Sequence, residues 1–486
     1  MVIKTREDLD AVKAEGLARL YPDRMKVMVG SATCGIANGA NETTLALINA
    51  LQNEGLDAVV DTVGCVGFCQ QEPLVEVWRP GHPRVLYRNI NDKRAPQLVA
   101  ALKEGDVKKA WALYRSEQDE IITADEVKKW DLSAANGQYG TIPTAADVPF
   151  FSKQVKIALR NCGYVNPTSL CEYVARGGFY ALFETLRSKS PEDVVNEVKE
   201  SGLRGRGGGG FLTGRKWASA RKAKGDVKYV ICNADEGDPG AYMDRSILEG
   251  DPYSVLEGML IGAYAVGNCT QGYIYVRHEY PRAIQMLEAA IGEMREHGLL
   301  GEGILGSDFS FDIQLSRGGG AFVCGESTAL MASIEGKRGE PRAKYVHTVE
   351  AGLFGKPTVL NNVETWANVP VIMARGASWY KGIGTPTNTG TKVFSLVGNV
   401  QRTGLVEVPM GISLREIIYD IGGGIAKKRK FKGVQTGGPS GGCLPEQFLD
   451  MPVDFDSLTQ HGSMMGSGGM IAVSYTHLTL PTIYSV

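Results

Sequence analysis

No apolar run in this 486-residue chain is long enough to span a bilayer, and its first residues, Met1-Val2-Ile3-Lys4-Thr5-Arg6, lack the apolar core of a secretory signal. Neither a membrane span nor export is expected, and the expected location is the cytoplasm. No charge of one sign dominates: 52 basic residues against 54 acidic ones leave a net charge of −2. Nucleic acid and anionic membrane surfaces are therefore not expected as main partners. Internal repeats are also missing. The nine cysteines are an odd number without secretory context, which argues against a disulphide framework and for free thiols or metal ligands.

Glycine, by contrast, is abundant, with 61 residues against an average usage of about 7%. The excess gathers in runs such as residues 207–210, where a backbone has to pass close to something. Hydrophobic residues make up 43% of the chain and charged ones 22%. At this length that composition supports several cores, in roughly two to four domains.

From Lys26 short apolar strands alternate with helical patterns. Strands are predicted at Lys26-Val27-Met28-Val29, Ala58-Val59-Val60, Leu74-Val75-Glu76-Val77 and Val85-Leu86-Tyr87, with a helix over residues 42–53. They form a small α/β unit over residues 1–104. Residues 105–150 carry helical stretches and few strand signals, and are expected to be a connecting region. A larger α/β domain follows, with strands at Tyr229-Val230-Ile231, Tyr273-Ile274-Tyr275-Val276 and Phe311-Asp312-Ile313 and a helix over Pro281–Glu296. Around Lys392-Val393-Phe394-Ser395-Leu396 the pattern becomes β-rich, with a short helix over residues 413–419.

Three constellations carry chemistry. Gly205-Arg206-Gly207-Gly208-Gly209-Gly210 formally contains GxGxxG, but it follows a helical pattern over Pro191–Glu200 rather than a strand, so the dinucleotide-fold context is missing. Residues 209–216 have P-loop spacing, yet Gly214 is followed by Arg215-Lys216-Trp217 where that loop needs Lys and then Ser or Thr. An NTPase is rejected. What remains is a glycine loop with Arg204, Arg206, Arg215 and Lys216 around it, which brings amides and cations up to phosphate; the alternative is a flexible linker.

The second constellation, Cys232-Asn233-Ala234-Asp235-Glu236-Gly237-Asp238-Pro239-Gly240, directly follows the strand at residues 228–231. Three carboxylates and an Asn at the carboxyl end of a strand stand where an α/β sheet binds its ligand. Such groups accept hydrogen bonds from the hydroxyls and ring nitrogens of a flavin or ribose; a solvated acidic turn or a magnesium site is the alternative. Third, Gly318-Gly319-Gly320-Ala321-Phe322-Val323-Cys324-Gly325-Glu326-Ser327-Thr328-Ala329-Leu330 joins a glycine turn to a helix. It nearly matches a nucleophile elbow, but Ala329 replaces the last glycine and no triad pattern accompanies it.

Taken in order, residues 201–217, 232–245 and 318–342, with the run Lys356-Pro357-Thr358-Val359-Leu360-Asn361-Asn362-Val363-Glu364-Thr365, resemble the NADH-binding 51-kDa flavoprotein subunit of respiratory complex I. Soluble NAD(P)-linked hydrogenases and formate dehydrogenases share that family. The likeness runs from about residue 150 to 473 and closes with Gly438-Pro439-Ser440-Gly441-Gly442. It implies a multidomain α/β fold: a thioredoxin-like domain over residues 1–104 and a Rossmann-like FMN and NAD(P)H domain over 151–375. A small β-grasp (ubiquitin-like, SLBB-type) domain over 376–445 and the start of a 4Fe–4S helical domain over 446–473 complete it.

By this resemblance Gly205, Gly207, Lys216, Asn233, Asp235, Glu236, Gly325, Glu326, Asn361, Asn362 and Thr365 surround FMN. Arg206, Gly208, Gly210, Asp238, Phe322, Ser327 and His347 join the cofactor-binding set, Phe211 stacks on the adenine of the nicotinamide nucleotide, and Glu326 is the catalytic residue. The residue types suit these roles, with amides and Lys216 at phosphate, polar side chains at ribityl and ring, and an aromatic at the base. The implied chemistry is hydride transfer between NAD(P)H and FMN, then single-electron release to iron–sulphur clusters.

Two departures stand out. Where the family often has a second Glu after Gly-Glu, this chain has Ser327, and Lys344-Tyr345-Val346-His347-Thr348 replaces the usual Lys-Pro-Pro-Phe-Pro. Loss of a carboxylate near the adenosine ribose removes repulsion toward a 2′-phosphate, worth roughly 4 kcal/mol at ~4 Å and an effective dielectric of ~20 before solvent losses. NADPH is thereby opened as a substrate beside NADH.

Cys34 and the pair in Cys65-Val66-Gly67-Phe68-Cys69 fall in loops of the first unit, which resembles the thioredoxin-like 2Fe–2S domain of the complex I 24-kDa subunit. That family uses Cys-x4-Cys and Cys-x3-Cys; here the second pair is intact, and Gly30 and Ser31 occupy the neighbourhood of the first ligand. Cys34, Cys65 and Cys69 are the candidate metal ligands, in a 2Fe–2S cluster with one non-cysteine ligand or in a domain that has lost its cluster. This fusion makes the flavin subunit of an NAD(P)-linked, electron-bifurcating iron hydrogenase a nearer match than complex I. The implied partners are iron–sulphur subunits: a 24-kDa-like thioredoxin-type chain and an iron hydrogenase or similar catalytic chain. The alternatives are the NADH-entry flavoprotein of complex I or of a formate dehydrogenase, and a non-catalytic scaffold with a vestigial nucleotide site.

The family's 4Fe–4S motif, Cys-x2-Cys-x2-Cys plus a distal Cys, belongs soon after Val473 and is absent there, so that cluster is expected only in the intact parent protein. Residues 474–486 show neither helical periodicity nor a core pattern and are expected to be a non-native tail. Cys162, Cys171, Cys232, Cys269, Cys324 and Cys443 show no ligand spacing and are expected to be buried small hydrophobes.

Overall fold

β1 (Met25–Gly30) is buried along its whole length, as its near-continuous apolar run demands of a strand covered on both faces. In the computed structural model, which describes residues 1–343 and 345–475, it forms the centre of a five-stranded sheet. β2 (Ala58–Val63) pairs parallel to it after the helix Ala40–Glu54, and β3 (Val75–Trp78) pairs antiparallel on the other side. β4 (Arg84–Tyr87) and β5 (Ala112–Ser116) extend the sheet, giving the order β2-β1-β3-β4-β5. A parallel βαβ unit followed by an antiparallel hairpin is the expected thioredoxin-like arrangement.

The region expected to connect helically, residues 105–150, holds strands instead. β5 belongs to the first sheet, and β6 (Gln118–Ile121) and β7 (Glu126–Lys129) make a hairpin. The signal in β6 is a period of two carried by polar residues: Asp119 and Ile121 are buried while Gln118 and Glu120 are exposed. Asp119 tolerates burial because the Arg176 guanidinium of the next domain lies 2.5 Å away.

The second sheet is wholly parallel. β8 (Tyr229–Ala234) is flanked by β9 (Gln271–Val276), with β10 (Asp312–Arg317) beyond, and on its other side by β11 (Thr358–Asn362), in the order β10-β9-β8-β11. The strand order reverses between β8 and β11, and the crevice outside the carboxyl ends of such strands is where open α/β sheets bind ligands. Asn233 and Asn362 are register partners at those ends. Behind the sheet, helices Pro252–Val266 and Val363–Arg375 pack so closely that a Cβ on Gly258 would sit 2.1 Å from the Trp366 carbonyl oxygen.

The third sheet runs β13-β12-β16-β14-β15, from β12 (Thr391–Gly398), β13 (Gly404–Pro409), β14 (Phe431–Thr436), β15 (Gly442–Pro445) and β16 (Gly469–Ser474). β16 lies inside it, parallel to β12 and antiparallel to β14. The expectation that residues 446–473 begin a separate helical domain is therefore corrected: they lead through one short helix, Phe455–Gln460, into a central strand of the β-grasp sheet. Short apolar runs do not reveal from sequence which sheet they join. The expected helix over residues 413–419 is a single helical segment at Glu416–Ile421.

Buried polar contacts lock the three units together. Lys392 of β12 pairs with Glu364 at full burial, Glu407 of β13 accepts hydrogen bonds from the amides of Ala158 and Leu159 at 2.9 Å, and the Leu405 amide donates to the Gly67 carbonyl at 2.8 Å. Among the described residues no helix is long and apolar enough to cross a membrane. Lys344 and residues 476–486, on which the reading of a non-native tail largely falls, lie outside the described residues.

Candidate flavin cleft and cysteine site

A cleft of about 530 Å³ opens at the β8/β11 switch point, within the usual ~300–1,000 Å³ of small-molecule sites. Four segments distant in sequence converge on it. The glycine loop supplies Gly207, Gly208 and Gly209; the end of β8 supplies Asn233, Asp235, Glu236 and Asp238; the turn before helix Ser327–Ile334 supplies Phe322, Gly325 and Glu326; β11 supplies Asn362. A larger cleft of about 890 Å³ lies between the first unit and the second domain. Its Lys26 is already paired with Asp61 at 3.0 Å and Glu172 at 2.8 Å.

The glycines make the near wall. Gly208 has φ +115°, and a Cβ there would lie 3.0 Å from the Gly466 Cα; at Gly207 a Cβ would lie 3.0 Å from the Asn362 Cβ. Side chains at these positions would fill the cleft or displace its opposite lip. The polar side chains cross-brace one another. Asn233 donates to the Gly325 carbonyl and accepts from the Asp235 amide, both at 3.0 Å, and Asn362 donates to Asp244 and caps the helix Val363–Arg375 by accepting from the Thr365 amide.

Two carboxylate oxygens of the cleft, Oδ2 of Asp235 and Oδ1 of Asp244, are buried without a hydrogen-bond partner among the described residues. Burial raises the Asp235 pKa to about 6, with Arg277 pulling it down and Glu279 pushing it up. Burial, with the Glu236 charge beside it, pushes Asp244 well above the usual carboxylate range. Unmet polar atoms of this kind call for a partner from outside the described residues. Acceptors, exposed backbone amides and an aromatic rim fit the ribityl chain, phosphate and ring system of FMN.

Several expected residues hold the cleft's walls without lining it. Arg206 is fully buried, and its guanidinium donates to the Thr391 and Thr389 carbonyls, the Arg204 carbonyl and the Tyr380 hydroxyl at 2.6–3.0 Å. It ties the glycine loop to the β-grasp unit and does not reach toward phosphate. Its own amide donates to Thr365 Oγ1 at 2.8 Å, which makes Thr365 an anchor for the loop. The amide of Gly205 donates to the Phe211 carbonyl, and Gly210, with φ +60°, backs onto Phe455. Lys216 donates to the Leu360 carbonyl at 2.8 Å and to Asn361 Oδ1 at 3.2 Å, and burial pushes its ammonium pKa down to about 8. Asn361 Nδ2 remains buried and without a partner among the described residues.

Glu326 lines the cleft but caps helix Ser327–Ile334, accepting from the amides of Thr328 and Ala329 at 2.9 and 3.0 Å and from the hydroxyls of Ser327 and Thr328. Burial works against its charge, yet these donors hold its pKa below the usual carboxylate value. Glu326, expected as the catalytic residue, is thus placed in the cleft wall as the cap of this helix, with donors that favour its charged form. Ser327 is turned to Glu326 at 3.0 Å. Phe211 and Phe322 are both exposed, at 59% and 56%, and of the two Phe322 lines the cleft. His347 is exposed and outside it.

The far lip went unrecognised in the sequence. Gly437, Ser440, Met464, Gly466 and Ser467 come from the β-grasp unit, and the Ser467 amide donates to Asp238 at 3.0 Å. The glycines of residues 437–442 and 466–469 were a legible signal of close approach. Asp244 and Pro341 also line the cleft; within a mixed polar stretch, nothing local marks them.

The cysteine expectation is met in space. The Sγ atoms of Cys34, Cys65 and Cys69 all lie within 4.8 Å of one another, Cys34 in the short helix Thr33–Ala37, Cys65 in the loop after β2 and Cys69 at the start of the helical turn Cys69–Gln71. The three thiols are hydrogen-bonded to one another, which favours the charged form of Cys69 and disfavours it at Cys65. Cys69 Sγ is 3.6 Å from the hydroxyl of Tyr242, which follows the acidic loop of the cleft. Of the other six cysteines, five are buried as expected, while Cys443 is exposed on the edge strand β15.

The Nuo51 FMN-binding domain family matches residues 198–371, and an SLBB domain matches residues 393–444. The NADP-reducing hydrogenase chain HndC of Solidesulfovibrio fructosivorans is 57% identical over 321 residues, 66% of this chain and 65% of that protein. The F 2 chain of NADH-quinone oxidoreductase from Rhizobium meliloti (strain 1021) is 49% identical over 317 residues, 65% of this chain and 75% of that one. The solved NAD+-reducing NiFe-hydrogenase in its H2-reduced state aligns with 96% of this chain and 72% of its own, at a TM-score of 0.57 and 25% identity. This chain thus spans slightly less than two thirds of the hydrogenase relative and three quarters of the Rhizobium one.

Proposed function

The chain belongs to the Nuo51 FMN-binding family that includes the F-type chains of NADH-quinone oxidoreductase, and from that premise we propose that it is the flavin subunit of an NAD(P)-linked hydrogenase complex. The observation that carries this reading is the cleft itself. It sits at the switch point of a parallel sheet, with a glycine wall and two buried carboxylate oxygens that find no partner among the described residues.

FMN, when bound, supplies the exchange between hydride chemistry and single-electron transfer. The chain's residues do the rest. Amides of Gly207, Gly208 and Gly209 meet the phosphate; Asn233, Asp235, Asp244 and Asn362 accept from and donate to the ribityl chain and ring. The β-grasp lip around Gly466 and Ser467 limits water on the far side, and Phe322 offers a face to the nicotinamide nucleotide. Glu326 keeps the amino end of helix Ser327–Ile334 in register with the cleft. With Ser327 in place of a carboxylate, the adenosine end accepts NADPH as well as NADH. The 57% identity to an NADP-reducing hydrogenase chain supports this.

Cys34, Cys65 and Cys69 would hold a 2Fe–2S cluster, which suits their thiolate donor set, and Tyr242 joins that site to the cleft loop. Partner chains would be iron–sulphur proteins in the cytoplasm. Purified chain titrated with FMN should show stoichiometric quenching of flavin fluorescence and NAD(P)H oxidation by an artificial acceptor. A chain that takes up no FMN would leave only the scaffold reading.

A further inference from the structure

The cysteine site offers three thiols where a 2Fe–2S cluster takes four protein donors. No fourth cysteine lies near by among the described residues. What fills the gap is a carboxylate. Glu72 is only 5% exposed, and its Oε1 stands 3.7 Å from Cys34 Sγ. The other oxygen accepts from the Leu74 amide at 2.7 Å, which fixes the carboxylate plane and leaves Oε1 turned to the thiols.

Gly30 shows why the carboxylate can be there. An ideal Cβ built on Gly30 would come within 3.2 and 3.3 Å of the two Glu72 oxygens, so the carboxylate occupies the volume that a side chain at residue 30 would take. Ser31, the neighbouring candidate, points away and donates to the Val29 carbonyl. No ion pair involves Glu72 among the described residues; the nearby buried Glu76 is taken by Arg84 at 2.9 Å. A buried carboxylate without a cation is costly, and three buried or half-buried free thiols beside it make up a donor set for a cationic metal centre.

We propose that Glu72 is the fourth ligand of this centre, so that Cys34, Cys65, Cys69 and the Glu72 carboxylate together hold a 2Fe–2S cluster. The assignment rests on the cluster reading given above, and it would put the oxygen donor beside Cys34. A carboxylate carries the same unit charge as a thiolate, so the net charge of the ligand set is that of four cysteines.

The test uses the full chain, reconstituted anaerobically with ferrous iron and sulphide, and reads iron and sulphide content, the visible spectrum and the EPR spectrum of the reduced form. Wild type is expected to hold two iron and two sulphide per chain. Glu72→Gln should lose at least tenfold in cluster half-life against a chelator, whereas Glu72→Cys should keep the cluster with shifted charge-transfer bands and g values. Far-UV circular dichroism and FMN uptake show that each variant is folded. A Glu72→Gln chain with wild-type half-life and spectra would overturn the ligand assignment alone. Wild-type chain that takes up no iron and sulphide, or only a single zinc ion, would overturn the cluster reading and this assignment with it.

Discussion

The flavin cleft and the cysteine site solve the same problem, holding an external group, in opposite ways. The cleft draws on four segments of the second domain and two of the β-grasp unit, and much of its surface is backbone: glycine amides, strand ends and a helix cap. Its specificity comes from space left open, as the close approaches at Gly207 and Gly208 show. The cysteine site draws on one short unit and is built from side chains, with three sulphurs within 4.8 Å of one another. A backbone cradle depends on the relative placement of domains; a side-chain cage depends on a few rotamers. The two should therefore fail independently.

Gly208→Val offers the largest separation between them. The residue needs φ +115° and has the Gly466 backbone 3.0 Å from its missing Cβ, so strain and collision should weaken FMN binding by a hundredfold or more, roughly 3 kcal/mol. Iron content at the cysteines should stay at the wild-type level. Flavin fluorescence titration beside iron analysis reads both, and joint loss would show the sites to be coupled.

Arg206→Met should act on the frame of the cleft. Removing a buried guanidinium leaves the Thr389 and Thr391 carbonyls unmet and should destabilise the chain by about 2–4 kcal/mol, seen as a fall in Tm. FMN affinity of the folded fraction should change less than about threefold. A selective loss of affinity at unchanged Tm would restore Arg206 as a phosphate ligand.

Ser327→Glu should lower kcat/KM for NADPH relative to NADH by about tenfold, less than the full charge–charge repulsion because the site is partly solvated. Steady-state kinetics with both nucleotides decides it; equal ratios in the two proteins would remove Ser327 as the determinant.

The smallest effect is a pH dependence. Asp235 is poised at about 6 by burial, and its ionised form is the better acceptor for flavin donors. Above that value the carboxylate is charged; below it the proton returns. FMN affinity should accordingly drop by about three- to tenfold between pH 7 and pH 5. The FMN phosphate itself titrates near 6, so Asp235→Asn supplies the reference: its profile should be flatter than wild type, and identical profiles would exclude Asp235 from the contact.

Legibility followed the range of the interaction. The strands around Val27, Tyr229 and Tyr273 and the helix Pro281–Glu296 were visible because period and cap are local properties. The glycine loop, the acidic loop after β8 and the Asn361-Asn362 pair announced themselves as contiguous runs. The structural roles of Arg206 and Glu326 were not legible, since a cation beside a glycine loop and a carboxylate beside a glycine turn look the same whether they face a ligand or the protein. The polar hairpin β6–β7 and the internal position of β16 were hidden for a related reason: a short strand's partner is chosen by the rest of the fold.

The sequence by itself determined the chemistry on offer, namely where the chain would carry glycine amides, carboxylates, amides and thiols, because residue identity and spacing are enough to specify donors and acceptors. Only the tertiary structure decided which of them face a common space. The β-grasp lip over the cleft, the clamp made by Arg206 and the carboxylate of Glu72 in the volume beside Gly30 all depend on approaches between segments far apart in the chain, and such approaches are set by packing rather than by any local pattern.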